Sequence, residues 1–131
     1  MKVLTKERSK LRLDRTPVAP RAARRHVEDV VRRPSDVVAI ADLLVTELVT
    51  NSVRHAGSGP DDHVEVRVDL DDRRLRIEVD DGGGGDGALR PPLRQREEGG
   101  FGLLFVDSLA DRWGSERHAG GTTVWFELDL G

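Results

Sequence analysis

Glu47 and Asn51 stand four residues apart in a stretch whose apolar positions recur at helical spacing, so both project from one helix face, continued by Arg54 and His55. A carboxylate held mid-helix can take a proton as a general base, and an amide one turn away can offer its oxygen to Mg2+. Spacing alone equally describes the wet side of a helix packed on a sheet, and His55 could simply be a favourable cation at the helix C-terminus. Weighing toward chemistry, Thr46, Thr50 and Ser52 flank the pair, and Glu47 sits between Val45 and Leu48 rather than at a frayed end. A second candidate is Val79-Asp80-Asp81-Gly82-Gly83-Gly84-Gly85. Four glycines suit a flexible linker; they also let the backbone approach a flat ligand while a carboxylate at the strand end accepts from an exocyclic amine. The third is Gly99-Gly100-Phe101-Gly102-Leu103, where glycines opening a helix free backbone N–H groups to face an anion. Neither a Rossmann nor a Walker A pattern is present.

These residues need elements to hold them. Residues 9 to 15 alternate polar and apolar, predicting a short strand. Thr16-Pro17 fits a helix start, with Val18, Ala22, Val27, Val30 and Val31 as a ragged apolar stripe. After Pro34, Ser35 is placed to cap the principal core helix, whose apolar positions 37, 40, 41, 44, 45, 48 and 49 run on to Ala56-Gly57. Val64, Val66, Val68 and Leu70 alternate with polar residues, as do Leu75, Ile77 and Val79, with Asp71-Asp72 between them; this predicts a hairpin with one face on a core. Residues 82 to 99 lose all periodicity. A short helix from about Gly102 to Ala110, a strand near Arg112 to Arg117 and a last strand with Val124, Phe126, Leu128 and Leu130 on one side complete the chain. The order β-α-α-β-β-loop-α-β-β predicts an α+β two-layer sandwich, a mostly antiparallel mixed sheet with helices on one face.

Composition narrows the function. The 131 residues are 37% hydrophobic and 34% charged, as expected for one soluble domain, and hold no cysteine. Disulfide scaffolds, thiolate metal sites and a cysteine nucleophile are thereby excluded. No apolar run approaches the roughly 20 residues of a membrane span, and nothing resembles a signal peptide, so no membrane contact and a cytoplasmic location are expected. The net charge of −3 divides unevenly: residues 1 to 35 carry eleven Lys and Arg against four Asp and Glu, and the remainder is acidic. No Phe, Tyr or Trp precedes Phe101, so the basic segment lacks the stacking groups of a nucleic-acid binder, and no nucleic-acid partner is expected.

The three candidate segments in this order resemble the Bergerat-type (GHKL) ATP-binding fold of gyrase, Hsp90, histidine kinases and MutL. Within it, Val45-Thr-Glu-Leu-Val-Thr-Asn-Ser-Val-Arg-His-Ala56 resembles the N box of the small stand-alone anti-sigma-factor serine kinases of the RsbW and SpoIIAB type, and Leu109-Ala-Asp-Arg-Trp-Gly114 resembles the segment after their second glycine box. The resemblance implies ATP and Mg2+ as cofactors, with Asn51 the Mg2+ ligand and Glu47 the residue activating the attacking hydroxyl. It implies Asp81 as the carboxylate on the adenine amine, Gly83 and Gly85 as motif glycines, Gly100, Gly102 and Leu103 on the phosphate side, and Thr122 or Thr123 beside the adenine. Asp80 competes for the register, but only Asp81 gives Asp-x-Gly-x-Gly after a Val two residues earlier. Trp113 and Trp125 are assigned to packing. The expectation is one ATP-binding domain over residues 1–131 with a lid at 86–99. It would phosphorylate a serine on a STAS-type anti-anti-sigma partner, with sigma-factor sequestration and homodimerisation as further implied properties. The alternative is an ATP-responsive interaction module without catalysis.

Overall fold

The computed structural model describes residues 7–32, 35–54, 63–81, 101–118 and 121–130. The element order is β1 (Glu7–Asp14), α1 (Ala19–Val31), α2 (Asp36–Arg54), β2 (His63–Leu70), β3 (Arg74–Asp81), α3 (Phe101–Leu109), β4 (Arg112–His118) and β5 (Gly121–Asp129). The five strands form one sheet in the order β1-β2-β3-β5-β4. All four described pairings are antiparallel, so the α+β fold read from the element order stands.

Period-two alternation divides the sheet into a dry and a wet face. Val64, Val66 and Val68 of β2, Leu75, Ile77 and Val79 of β3, and Val124, Phe126 and Leu128 of β5 are buried beneath the helices. On the other face, Arg67 bonds Glu65 and Glu78, Arg76 bonds Glu78 and Glu127, and Arg112 bonds Glu127 and Asp129. Burial pushes the Glu127 carboxyl up, but the hydrogen bonds from Arg112 and Arg76, aided by Arg74, take it below its ordinary value. The Arg76 guanidinium also lies 4.3 Å from the centroid of the Trp125 ring. That indole covers Gly114, where a Cβ would meet Trp125 Nε1 at 2.8 Å, so this strand position requires glycine.

The helices close the dry face. In α1 the buried stripe is Ala19, Ala23, Val27 and Val31. This corrects the expected stripe: Val18 precedes the helix, 66% exposed, and Ala22 and Val30 lie beside the seam rather than in it. The helix ends where Arg32 takes a left-handed conformation, φ 62°, its N–H donating to the Glu28 carbonyl. Ser35 Oγ accepts from the Val38 N–H at 3.2 Å, capping α2 as its position suggested. From α2, Ala41, Leu44, Val45, Leu48 and Val49 enter the core, and Val106 of α3 joins them. The β2–β3 turn is fixed by Asp71, whose Oδ1 accepts from the N–H groups of Arg73 and Arg74.

Candidate functional site

The dry face does not end in apolar residues. Asp81, two residues beyond Val79, continues the inward alternation of β3, and Thr122, two before Val124, does the same in β5; the two are paired in register. Above them α2 brings Leu48, Asn51 and Ser52 together, because positions 48, 51 and 52 share a helix face. Leu48, Asn51, Ser52, Val79, Asp81, Thr122 and Val124 line one cleft. The cleft has a volume of about 40 Å³. The described residues thus form the floor of a cleft.

The same alternation separates the neighbours. Asp80 and Thr123, paired in register, face the wet side of the sheet. There His118 Nε2 lies 3.4 Å from Asp80 Oδ1 and 3.0 Å from Thr123 Oγ1. The fold brings Asp81, the carboxylate chosen from the sequence, to the cleft and turns Asp80 away, and of the two hydroxyl candidates left open it brings Thr122 and turns Thr123 away. Glu47 stands half-buried on α2 one turn before Asn51 and is not among the lining residues. Gly102 and Leu103 stand in the first turn of α3. Gly83, Gly85, Gly100 and the lid expected at 86–99 lie outside the described residues.

The floor is chemically unusual. Ser52 and Thr122 are only 4% and 7% exposed, yet neither side-chain oxygen has a hydrogen-bond partner among the described residues. Buried hydroxyls left without partners cost free energy and are uncommon in native folds. Asp81 forms an ion pair with Arg15, whose side chain is 1% exposed. Leu48, Val79 and Val124 supply apolar walls. Apolar walls, two partnerless hydroxyls and an acceptor carboxylate fit a flat heteroaromatic ring bearing an amino group at its edge. Among the described residues no group of three or more His, Cys, Asp or Glu could hold a metal ion. The Asn51 amide oxygen on the cleft is a hard donor that fits a Mg2+ ion bound mainly by phosphate and water.

Arg15 escaped the sequence reading, although a signal for it existed. It continues the inward parity of Leu11 and Leu13, a place where a charged residue demands a buried partner.

A family model described as the histidine kinase-like ATPase domain matches residues 11–128. No curated protein matches the chain. Among solved structures the chain is similar to the RsbU and RsbW domains of Rv1364c from Mycobacterium tuberculosis, with a TM-score of 0.68 and 22% identity over 95% of this chain. At that identity the likeness is one of fold. The chain spans about a third of that structure's length, 33%.

Proposed function

Since the chain belongs to the histidine kinase-like ATPase domain family over residues 11–128, we propose that it binds Mg-ATP in this cleft, with the adenine ring between Leu48, Val79 and Val124 and its amino group donating to Asp81. The observation that carries this reading is the convergence of Asn51, Asp81 and Thr122, from three elements, on one floor with two partnerless hydroxyls. Asn51 is the Mg2+ ligand in this reading, and the metal supplies charge neutralisation on the phosphates when bound. Gly83, Gly85, Gly100, Gly102 and Leu103 approach the nucleotide, residues 86–99 form its lid, and the whole chain acts as one domain.

The reaction that suits this arrangement is transfer of the γ-phosphoryl group to a serine hydroxyl of a partner protein. The serine oxygen forms a bond to the γ-phosphorus as the bond to the β–γ bridging oxygen breaks, ADP leaves, and the hydroxyl proton passes to the Glu47 carboxylate. A STAS-type protein is the proposed acceptor, with a sigma factor as a second, sequestered partner. Family membership and the fold shared with a structure containing an RsbW domain support this choice. A cytoplasmic setting suits such partners; no helix among the described residues is long and apolar enough to cross a membrane.

One observation favours the non-catalytic alternative: Glu47 does not line the cleft floor. Incubating the protein with radiolabelled ATP and candidate STAS proteins separates the readings. Label on the partner, lost in Glu47→Ala while nucleotide binding persists, is the kinase outcome. ATP-dependent complex formation without label is the module outcome, and absence of nucleotide binding contradicts both.

A further inference from the structure

Arg15 is the first residue past β1, where the chain leaves the sheet through a turn closed by Thr16 N–H on the Asp14 carbonyl at 2.9 Å. Its side chain points to the dry face and ends on Asp81 of β3. Since β2 lies between β1 and β3, that side chain spans two strand spacings, roughly 10 Å. Few residues have that reach. Arg15 itself is not among the cleft-lining residues; it stands behind Asp81 and touches the cleft only through it.

As a device for stability this pair is a poor choice. Burying a guanidinium and a carboxylate costs several kcal/mol per ion before their attraction is counted, and a well-packed apolar pair generally does as well. What the pair achieves is control of the carboxylate. A guanidinium in contact with the Asp81 carboxylate holds its orientation. A carboxylate accepts at about four lone-pair positions, so Asp81 can accept from Arg15 and from a ligand amine together.

We infer that Arg15 is a positioning residue for base selection, acting through Asp81 to favour 6-aminopurine over 6-oxopurine nucleotides. This rests on the reading of the cleft as an adenine site. With the ring in one pose, a 6-amino group donates to the fixed carboxylate, whereas a 6-oxo group sets an acceptor against an acceptor. A 6-oxopurine recovers a hydrogen bond only if the carboxylate shifts toward its N1–H, and the ion pair opposes that shift.

The test is the ratio of Mg-ATP to Mg-ITP affinity, measured by calorimetry on the full chain for wild type, Arg15→Met and Arg15→Lys. Arg15→Met is expected to lower the ATP-to-ITP ratio about tenfold or more, in line with a charge-assisted hydrogen bond. Arg15→Lys keeps the charge without the planar fork, so its ratio is expected between the two, and it decides the matter if Arg15→Met does not fold. A ratio equal to wild type in every folded variant, including equal weakening of both nucleotides, overturns the role of Arg15 while leaving the adenine site standing. Wild-type protein that binds neither nucleotide overturns the adenine site and this inference together.

Discussion

The two ends of the polar inventory, the wet face of the sheet and the floor of the cleft, are built from similar residues and solved differently. On the wet face, Arg67, Arg76 and Arg112 interleave with Glu65, Glu78 and Glu127, and cross-strand register puts opposite charges side by side. Each group there has a protein partner, and solvent screens what is left. At the floor, fewer polar groups are more deeply buried, and Ser52 Oγ and Thr122 Oγ1 have no partner among the described residues. The cleft differs in that two of its lining residues present buried hydroxyls without a described partner beside apolar walls, and the proposed site rests on that contrast.

The sharpest way to break this comparison is to remove one member of the Arg15–Asp81 pair. Asp81→Asn leaves a guanidinium buried without its counter-charge, and a loss of about 3–5 kcal/mol is expected for such a change. Asp81→Asn combined with Arg15→Met should recover most of that stability in denaturant titrations, yet not nucleotide binding. This matters for interpretation, because Asp81→Asn alone confounds lost recognition with lost folding. Recovery of both properties in the double variant would show the carboxylate to be structural only.

Next in size is a change confined to the wet side. Gly114→Ala drives a methyl group against the Trp125 indole and is expected to cost about 1–3 kcal/mol through overpacking. Thermal denaturation should register the loss, while ATP affinity measured on the folded protein stays at the wild-type value. Altered affinity would tie the two faces together and weaken the contrast.

Smaller in stability but larger in function is removal of the partnerless hydroxyls. Thr122→Val, and Ser52→Ala beside it, delete unsatisfied groups, so the nucleotide-free protein is expected to be unchanged or up to about 1 kcal/mol more stable. ATP binding should weaken, as calorimetry would reveal. Destabilisation with affinity intact would mean that these oxygens are satisfied within the protein.

The smallest effect belongs to neither region. Between α1 and α2, burial first, then a hydrogen bond with Glu28, raise the Asp42 carboxyl from 3.8 to about 7. The proton is therefore held more tightly in the folded protein. Below about pH 4 both states carry it; as pH rises toward 7 the unfolded chain releases it first, and stability falls through that window. Asp42→Asn should consequently gain more stability over wild type at pH 8 than at pH 5 in urea titrations. An equal difference at both values would contradict the shared proton.

The element order and the alternation of β2, β3 and β5 were legible because hydrophobic periodicity is a local property. Asp81 was singled out by its place ahead of the glycines, and the structure sets it at the cleft. The boundaries of α1 were less legible: Thr16-Pro17 marks a start, but the inward stripe depends on packing against β1 and β2, which favours Ala19 and Ala23 over Val18 and Ala22. Thr122 and Thr123 could not be separated by composition, since both follow Gly120-Gly121; the register with β3 separates them. The Arg15–Asp81 contact joins residues 66 positions apart across an intervening strand, and no local pattern encodes such a pairing.

The central claim, that the incomplete floor is where the nucleotide binds, is tested most directly by following backbone amide resonances as Mg-ATP is added to the wild-type chain. The account predicts saturable shifts concentrated at Asn51, Ser52, Asp81 and Thr122, with Arg67, Arg76 and Trp125 on the opposite face little changed. Shifts centred on the wet face, or none at millimolar nucleotide, would contradict it.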